Sequence, residues 1–248
     1  FAAGGIILIG LYNSAYGAAT MMLEDTEVSS NTAERFSPAE NPAEGGGVHI
    51  EDHATAYLVR ATIRNNTANT GGGLNSYRAR FEITSSIIDS NHAQDPASIG
   101  GLGGGIDITS NNVSNPLRPA GSLLLVDSVV RNNDARVGGG VLISGDQVCA
   151  GSACGPSSQR AGAQITDSLI ADNVAGVYGG GVSADRTDLT ITGSHIIRNA
   201  VNASGSSSGG GLALATLSAA TISSTTIARN AAANYGGGIY LDGSASLA

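Results

Sequence analysis

The chain has 248 residues, of which 41% are hydrophobic, and a formal net charge of −8 from 12 basic and 20 acidic residues. This acidic balance argues against nucleic acid or an anionic membrane surface as the partner. Every basic residue is Arg, so chemistry that requires Lys, such as Schiff-base formation or a lysine-dependent phosphate loop, is excluded.

The first apolar run covers residues 4–11. It is much shorter than the roughly 20 apolar residues that a membrane-spanning helix needs. Its Ala-Gly-Gly-Ile start is a weaker copy of a motif that returns along the whole chain. We therefore predict no transmembrane segment.

Two signatures repeat along the chain. A Gly-Gly-Gly triad followed by an aliphatic residue occurs at residues 45–48, 71–74, 103–106, 138–141, 179–182, 209–212 and 236–239. Between the triads, an aliphatic residue stands three places before an asparagine, and these asparagines are Asn31, Asn66, Asn91, Asn133, Asn173, Asn199 and Asn230. Repetition at this spacing indicates a solenoid of stacked units.

Apolar and mixed positions alternate inside each unit. Before Ile170, for example, the apolar residues Ile165 and Ala163 are separated by Gln164. A period of two indicates strands and not helices. A unit whose shortest copies have about 25 residues cannot bury its own apolar face, so it must stack on its neighbours.

The predicted fold is therefore all-β, a right-handed parallel β-helix of about seven to eight coils with loop insertions. The asparagines are expected to form a structural ladder at a bend, where stacked side chains hydrogen-bond to one another and to the backbone. The triads suit a second bend that requires positive φ and close backbone approach. Tyr178 and Tyr235, each directly before a triad, are expected to pack at that bend.

Coil length varies while the repeat stays in register, so the extra residues must leave the solenoid as loops. The long insertions lie within residues 31–45, 91–103, 105–123 and 140–163. The third contains residues 111–119, and the fourth contains Cys149 and Cys154. Their spacing in a Gly/Ser-rich stretch without nearby histidines favours a loop-closing disulfide over a zinc site, and hence an extracytoplasmic location.

One predicted outward column is apolar. Ile87, Val129 and Leu169 occupy it in consecutive units, one place before the aliphatic residue of the asparagine signature. We expect this strip to bind a partner chain or a packed loop.

Catalytic candidates are weak. Asp127 and Asp167 share a column in adjacent units, and stacking at about 5 Å would match the carboxylate separation of a retaining glycosidase. Aspartate is also common at strand bends, and no aromatic platform for a sugar accompanies the pair. Arg131 is a candidate base for a lyase. We expect instead that it belongs to a solvent-exposed column of charged residues. We expect no cofactor. The alternative is that calcium binds at Asp127 and Asp167.

A further group, His49, Glu51, Asp52 and His53, contains metal-capable side chains. Strand alternation points His49 outward, and the other three fall in a short turn. We therefore expect a solvated turn here and no metal site.

Both chain ends show the strand pattern of the repeat without an amphipathic capping helix. We expect a single β-helix domain over residues 1–248 that is a fragment or a subunit of a larger protein. Other protein chains would then contact it through the end coils or the apolar strip.

The triad and asparagine signatures together resemble the repeats of bacterial surface β-helix proteins, especially polymorphic outer-membrane proteins and autotransporter passengers. Those repeats favour Gly-Gly-Ala and Phe-x-x-Asn, whereas this chain has Gly-Gly-Gly and Ile/Val-x-x-Asn. The resemblance implies an extracellular or outer-membrane-associated setting, an adhesive or structural role and surface glycans as further partners. The alternative is a polysaccharide-active enzyme, either a lyase or a glycoside hydrolase, or a carbohydrate-binding module.

Overall fold

A computed structural model describes residues 4–10, 18–34, 42–94, 101–110, 120–145, 147–150, 153–156, 160–202 and 207–248. All regular elements in these ranges are β-strands. The chain passes through four parallel sheets in turn, called sheets I to IV, and then returns to the first. Each sheet therefore consists of strands from successive turns of the chain, which confirms the parallel β-helix.

Sheets I and II carry most of the core. Sheet I contains β1 (Ile6–Ile9), β4 (Val48–Glu51), β8 (Leu74–Tyr77), β12 (Ile106–Thr109), β16 (Val141–Ser144), β22 (Val182–Asp185), β26 (Leu212–Ala215) and β30 (Ile239–Leu241). Sheet II contains β2 (Thr20–Glu24), β5 (Thr55–Val59), β9 (Arg80–Thr84), β13 (Ser122–Val126), β19 (Ala161–Thr166), β23 (Thr187–Thr192), β27 (Ala219–Ser223) and β31 (Ser246–Leu247).

Sheets III and IV have shorter strands. Sheet III contains β3 (Glu27–Ser29), β6 (Thr62–Arg64), β10 (Ile87–Asp89), β14 (Val129–Arg131), β20 (Leu169–Ala171), β24 (His195–Ile197) and β28 (Thr226–Ala228). Sheet IV contains β7 (Thr67–Ala68), β11 (His92–Ala93), β15 (Asp134–Val137), β21 (Val174–Tyr178), β25 (Ala200–Val201) and β29 (Ala231–Ala232). The antiparallel hairpin of β17 (Gln147–Ala150) and β18 (Ala153–Pro156) stands outside these sheets.

Alternate residues of sheets I, II and III face one continuous apolar core. Ile143 from sheet I, Ile165 from sheet II and Ile170 from sheet III are all fully buried in it. Stacking puts equivalent side chains in contact along the axis, as in the paired Leu125 and Ile165. Burial of a side chain of this size contributes about 2 kcal/mol, so the repeated column supplies much of the stability.

The corner between sheets III and IV contains the asparagine ladder. Asn91, Asn133 and Asn173 each donate from Nδ2 to Oδ1 of the next asparagine along the column at 3.0 Å, and Asn199 does so at 3.1 Å. The same Nδ2 also donates to a backbone carbonyl of the preceding coil, and Oδ1 accepts both the Nδ2 and the backbone N–H of the asparagine before it. Each inner asparagine amide therefore uses its full hydrogen-bonding capacity at a fully buried position.

A second polar ladder occupies the corner between sheets II and III. The hydroxyl of Ser128 accepts the backbone N–H of Ser86, and the hydroxyl of Ser168 accepts the backbone N–H of Ser128. Each serine also donates to the carbonyl two residues earlier. In the sequence this column shows only small residues, so its hydrogen bonding is visible only in the structure.

Candidate functional site

The outer face of sheet I forms a groove along the solenoid. Its deepest line, called the floor column, runs in strand register through His49, Asn75, Asp107, Leu142, Ser183, Ala213 and Tyr240. The column continues to Ile7 on β1, and every member except the two end residues, Ile7 and Tyr240, is buried, although the column points away from the core. Unlike the core columns, it changes residue type at almost every strand.

The first glycine of each triad helps to bury the floor column. Gly45 has a φ of 65°, and a Cβ on it would come within 2.6 Å of the Cβ of His49. Gly138 has a φ of 66° and lies over Leu142 in the same way, with a corresponding distance of 2.7 Å. The triad therefore bends the chain back over its own strand, which only a residue without a Cβ permits.

Two further columns border the floor. The wall column precedes the triads and comprises Glu44, Thr70, Leu102, Val137, Tyr178, Ser208 and Tyr235, each linked to the next by a parallel bridge or strand pair. The rim column lies at the ends of the sheet I strands and comprises Glu51, Tyr77, Thr109, Ser144, Asp185 and Ala215. The groove that these columns enclose has a volume of about 540 Å³ between Leu102 and Asp242.

Aromatic and charged side chains line this open part of the groove. Tyr178 lines it and is 37% exposed, whereas Tyr235, further along the same wall column, is 64% exposed and lies beyond the residues that line this volume. The prediction that these two tyrosines pack at the bend is therefore wrong, since the bend turns them outward. Asp185 pairs with Arg186 at the rim, and burial raises the pKa of Asp185. Among the described residues, Asp185 Oδ1 and Arg186 Nε are buried without a hydrogen-bond partner.

The other end of the groove is polar and closed. His49 Nε2 lies 2.9 Å from Glu51 Oε1 and 3.7 Å from Glu44 Oε2. His49 and Glu51 are 1% and 5% exposed. Burial raises the pKa of Glu44; the charge of His49 opposes this shift, and the charge of Glu51 adds to it. These three residues are the described group whose ligand atoms converge closely enough to hold a metal ion.

A hydrogen-bond chain extends from His49 along the floor column. His49 Nδ1 lies 2.7 Å from Asn75 Oδ1, and Asn75 Nδ2 donates to Asp107 Oδ2 at 3.3 Å. Thr109 donates to Asp107 Oδ1 at 2.8 Å. Burial raises the pKa of Asp107 to about 7, and the charge of Glu44 adds to this effect. The carboxyl of Asp107 therefore titrates near neutral pH.

The expectation of a solvated turn at residues 49–53 is wrong for two of its four members. Asp52 and His53 do occupy a turn. Glu51, however, belongs to β4, and both it and His49 are buried. Strand alternation correctly predicted that His49 points away from the apolar core. The side chain is buried all the same, because other parts of the groove cover it.

The predicted catalytic residues lie on other surfaces. Asp127 and Asp167 are exposed at the corner between sheets II and III, with φ values of 47° and 48°. Asp127 accepts a hydrogen bond from Ser85. Arg131 is exposed on sheet III and pairs with Asp89 at 3.1 Å. The structure therefore does not bring Arg131 into the groove, and the positive φ accounts for aspartate at the corner.

The other predicted sites are placed as follows. Ile87, Val129 and Leu169 are direct strand neighbours on the outer face of sheet III, and Ile87 is 38% exposed. The backbone of the hairpin places Cys149 directly opposite Cys154. Their side chains lie outside the described residues, so the disulfide stays a prediction. Residues 111–119 also lie outside the described residues.

Sequence reasoning missed the groove itself. The sequence feature that could have revealed the groove is the second residue after each triad. A column that faced open solvent would be polar in every repeat. Instead the column mixes Leu142 and Ala213 with His49 and Asp107. A variable column between two mostly aliphatic ones marks a surface that the repeat does not specify.

Comparison with protein-family models, curated proteins and solved structures gives no match to this chain. The described part of the chain also contains no helix long and apolar enough to span a lipid bilayer.

Proposed function

We propose that this protein is a non-enzymatic β-helix scaffold that binds a neutral polysaccharide lengthwise in the groove of sheet I. The observation that carries the proposal is the groove of about 540 Å³, which runs across successive strands and combines aromatic, apolar and hydrogen-bonding groups. Binding sites of this kind are concave and combine apolar walls with a few polar groups. Because the groove runs along the solenoid axis across successive strands, an extended polymer can lie along it.

The tyrosines suit a sugar chain. Tyr178 and Tyr235 stand two strand spacings apart on the wall column, a separation of roughly 10 Å along the axis. Tyrosine offers a flat apolar face together with a polar hydroxyl. Sugar rings likewise have apolar faces and polar edges, so successive sugars of one chain have a surface to pack on.

Polar groups at the rim suit sugar hydroxyls. Asp185 Oδ1 and Arg186 Nε are buried without partners among the described residues, which is costly unless a ligand or water satisfies them. A sugar hydroxyl would donate to the first and accept from the second only after the rim side chains shift, because both atoms are covered from solvent. Because Arg186 pairs with Asp185, the acidic charge of the groove lining comes from Asp242, and together with the net charge of −8 this disfavours an anionic polysaccharide.

Two observations support a location outside the cytoplasm, on or near a cell surface. The triad and asparagine signatures resemble bacterial surface β-helix repeats. In addition, directly opposed residues of an antiparallel pair have a Cα separation of about 4.5 to 5.5 Å, which a disulfide between Cys149 and Cys154 can bridge. Disulfides persist in oxidising compartments.

Affinity electrophoresis and calorimetry with a neutral glucan, a mannan and a galactomannan test the proposal, with polygalacturonate as the anionic comparison. Tyr178→Ala should weaken binding of the neutral ligand by about tenfold or more. Tyr57→Ala is the matched control, because Tyr57 is also 37% exposed but lies on the outer face of sheet II. Binding of none of the neutral polymers, or equal losses in both variants, would contradict the proposal.

The second candidate is a polysaccharide-active enzyme. Asp107 favours it, because a carboxyl with a pKa of about 7 can act as a general acid. Asp107 is fully buried, however, and contacts Thr109 and Asn75 and not the open groove. The scaffold proposal therefore expects no release of reducing ends from a bound polymer. Release by the wild-type protein that disappears in Asp107→Asn would favour the enzyme.

A further inference from the structure

We propose that Glu44, His49 and Glu51 form a binding site for one divalent transition-metal ion, with Zn²⁺ as the probe. The site lies at the closed end of the groove and does not depend on polysaccharide binding. Its three ligand atoms lie within 4.8 Å of one another and come from the wall, floor and rim columns. The fold of one coil therefore brings together three side chains that the repeat does not require.

One of the three ligand separations already matches a coordination sphere. Bonds of about 2.0 to 2.2 Å to zinc, meeting at roughly 90° to 110°, place neighbouring ligand atoms roughly 2.9 to 3.5 Å apart. His49 Nε2 is 2.9 Å from Glu51 Oε1 and 3.7 Å from Glu44 Oε2. The other separations are wider, up to 4.8 Å, so the partly exposed Glu44 side chain must move inward when the ion binds.

His49 is oriented for metal binding by its second ring nitrogen. Asn75 Nδ2 donates to Asp107, so Asn75 Oδ1 faces His49 Nδ1 at 2.7 Å and accepts a hydrogen bond from its N–H. Nε2 is then the nitrogen that faces the two carboxylates. Histidine ligands of metals generally donate their other N–H to such a partner, which fixes the ring and its tautomer. Asn75 is therefore a positioning residue.

Charge and ligand type favour a transition metal. Two carboxylates converge on one imidazole at a point where His49 and Glu51 are almost fully buried, and a cation would offset their mutual repulsion. Imidazole nitrogen suits zinc and its neighbours, whereas calcium and magnesium select oxygen ligands alone. The Glu44 side chain is 30% exposed, so solvent can supply a fourth ligand.

The test uses the full chain without a polyhistidine tag, stripped with a chelator and titrated with ZnCl₂ by calorimetry and equilibrium dialysis. We expect one tight Zn²⁺ site per chain and weak binding of Ca²⁺. His49→Gln and Glu51→Gln should each weaken Zn²⁺ binding by about 100-fold or more. His92→Gln is the matched control, because His92 pairs with the single carboxylate of Asp134 and should not affect affinity.

Two milder variants protect the test against misfolding. Glu44→Gln changes a partly exposed ligand and should weaken binding by about tenfold while leaving the thermal melt unchanged. Asn75→Ala should weaken binding by about 10-fold to 100-fold without changing the stoichiometry, as a positioning role requires. Absence of Zn²⁺ binding to the wild type at millimolar concentration, or full affinity in folded Glu44→Gln and Asn75→Ala, would overturn the proposal.

Discussion

The asparagine ladder and the floor column are both buried lines of side chains that cross neighbouring strands, but they differ in composition. The ladder repeats one residue, and its inner amides are fully satisfied by one another and by the backbone. The floor column changes from His49 and Asp107 to Leu142 within a few strands, and its polar members depend on individual neighbours. Strict repetition therefore identifies the architecture, whereas the buried variation marks the surface at which we propose that a ligand binds.

The largest expected effect is on the ladder. Asn133→Ala removes the acceptor of two buried donors on Asn91, its backbone N–H and its Nδ2. Leaving such groups unsatisfied costs about 1 to 3 kcal/mol each. We expect the free energy of unfolding in urea to fall by about 3 to 5 kcal/mol.

Asn31→Ala is the companion variant at the edge of the ladder. Asn31 is only partly buried, and Asn66 Oδ1 keeps the backbone N–H of residue 31 as a donor. We therefore expect a loss of about 1 kcal/mol. Equal losses in the two variants would show that burial along the ladder does not determine its contribution.

The second prediction concerns pH and the floor column. Asp107 has a pKa of about 7 in the folded chain against an ordinary value of 3.8. Its neutral form is favoured by folding, so its stabilising contribution is complete below about pH 4 and is lost as the pH rises to about 7. At 1.36 kcal/mol per pKa unit, the loss is on the order of 4 kcal/mol.

Asp107→Asn keeps a neutral side chain at every pH and removes this dependence. In metal-free protein with chelator present, the variant and the wild type should be similarly stable at pH 4. By pH 8 the variant should be more stable, with the difference growing mainly between pH 4 and 7. A difference in unfolding free energy that stays constant over this range would show that Asp107 does not titrate there.

Much of the fold was predictable from particular residues. The alternation around Gln164 and the spacing of Ile170 from Asn173 specify strands, their inner faces and the bend between them. The groove was not predictable, because alternation tells which side of a strand a residue occupies but not what covers that side. His49 is buried because Gly45 folds back over it, which is a tertiary contact. The prediction that Tyr178 packs at the bend was wrong for a related reason, because the spacing of the repeat does not specify the direction in which the chain bends.

The third prediction compares the two faces of sheet III. Replacing Ile87, Val129 and Leu169 together by Thr should lower the unfolding free energy by only about 1 kcal/mol, because the column already contains Thr62 and Thr226 and threonine suits strands. Val130→Thr, on the fully buried inner face of β14, should cost more because it buries a hydroxyl. If the strip binds another chain, the triple variant should also lose any self-association seen by analytical ultracentrifugation.

The smallest effect is expected at the corner that carries Asp127 and Asp167. Both are exposed, and both adopt positive φ, a conformation that Asn accepts at least as readily as Asp. The double variant Asp127→Asn and Asp167→Asn should therefore melt within about 2 °C of the wild type and bind polysaccharide equally well. Asp167→Val, which forces a β-branched side chain into that conformation, should cost about 1 to 3 kcal/mol. This ordering would show that the corner aspartates serve the bend, since a catalytic pair would lose its function on amidation and not on strain alone.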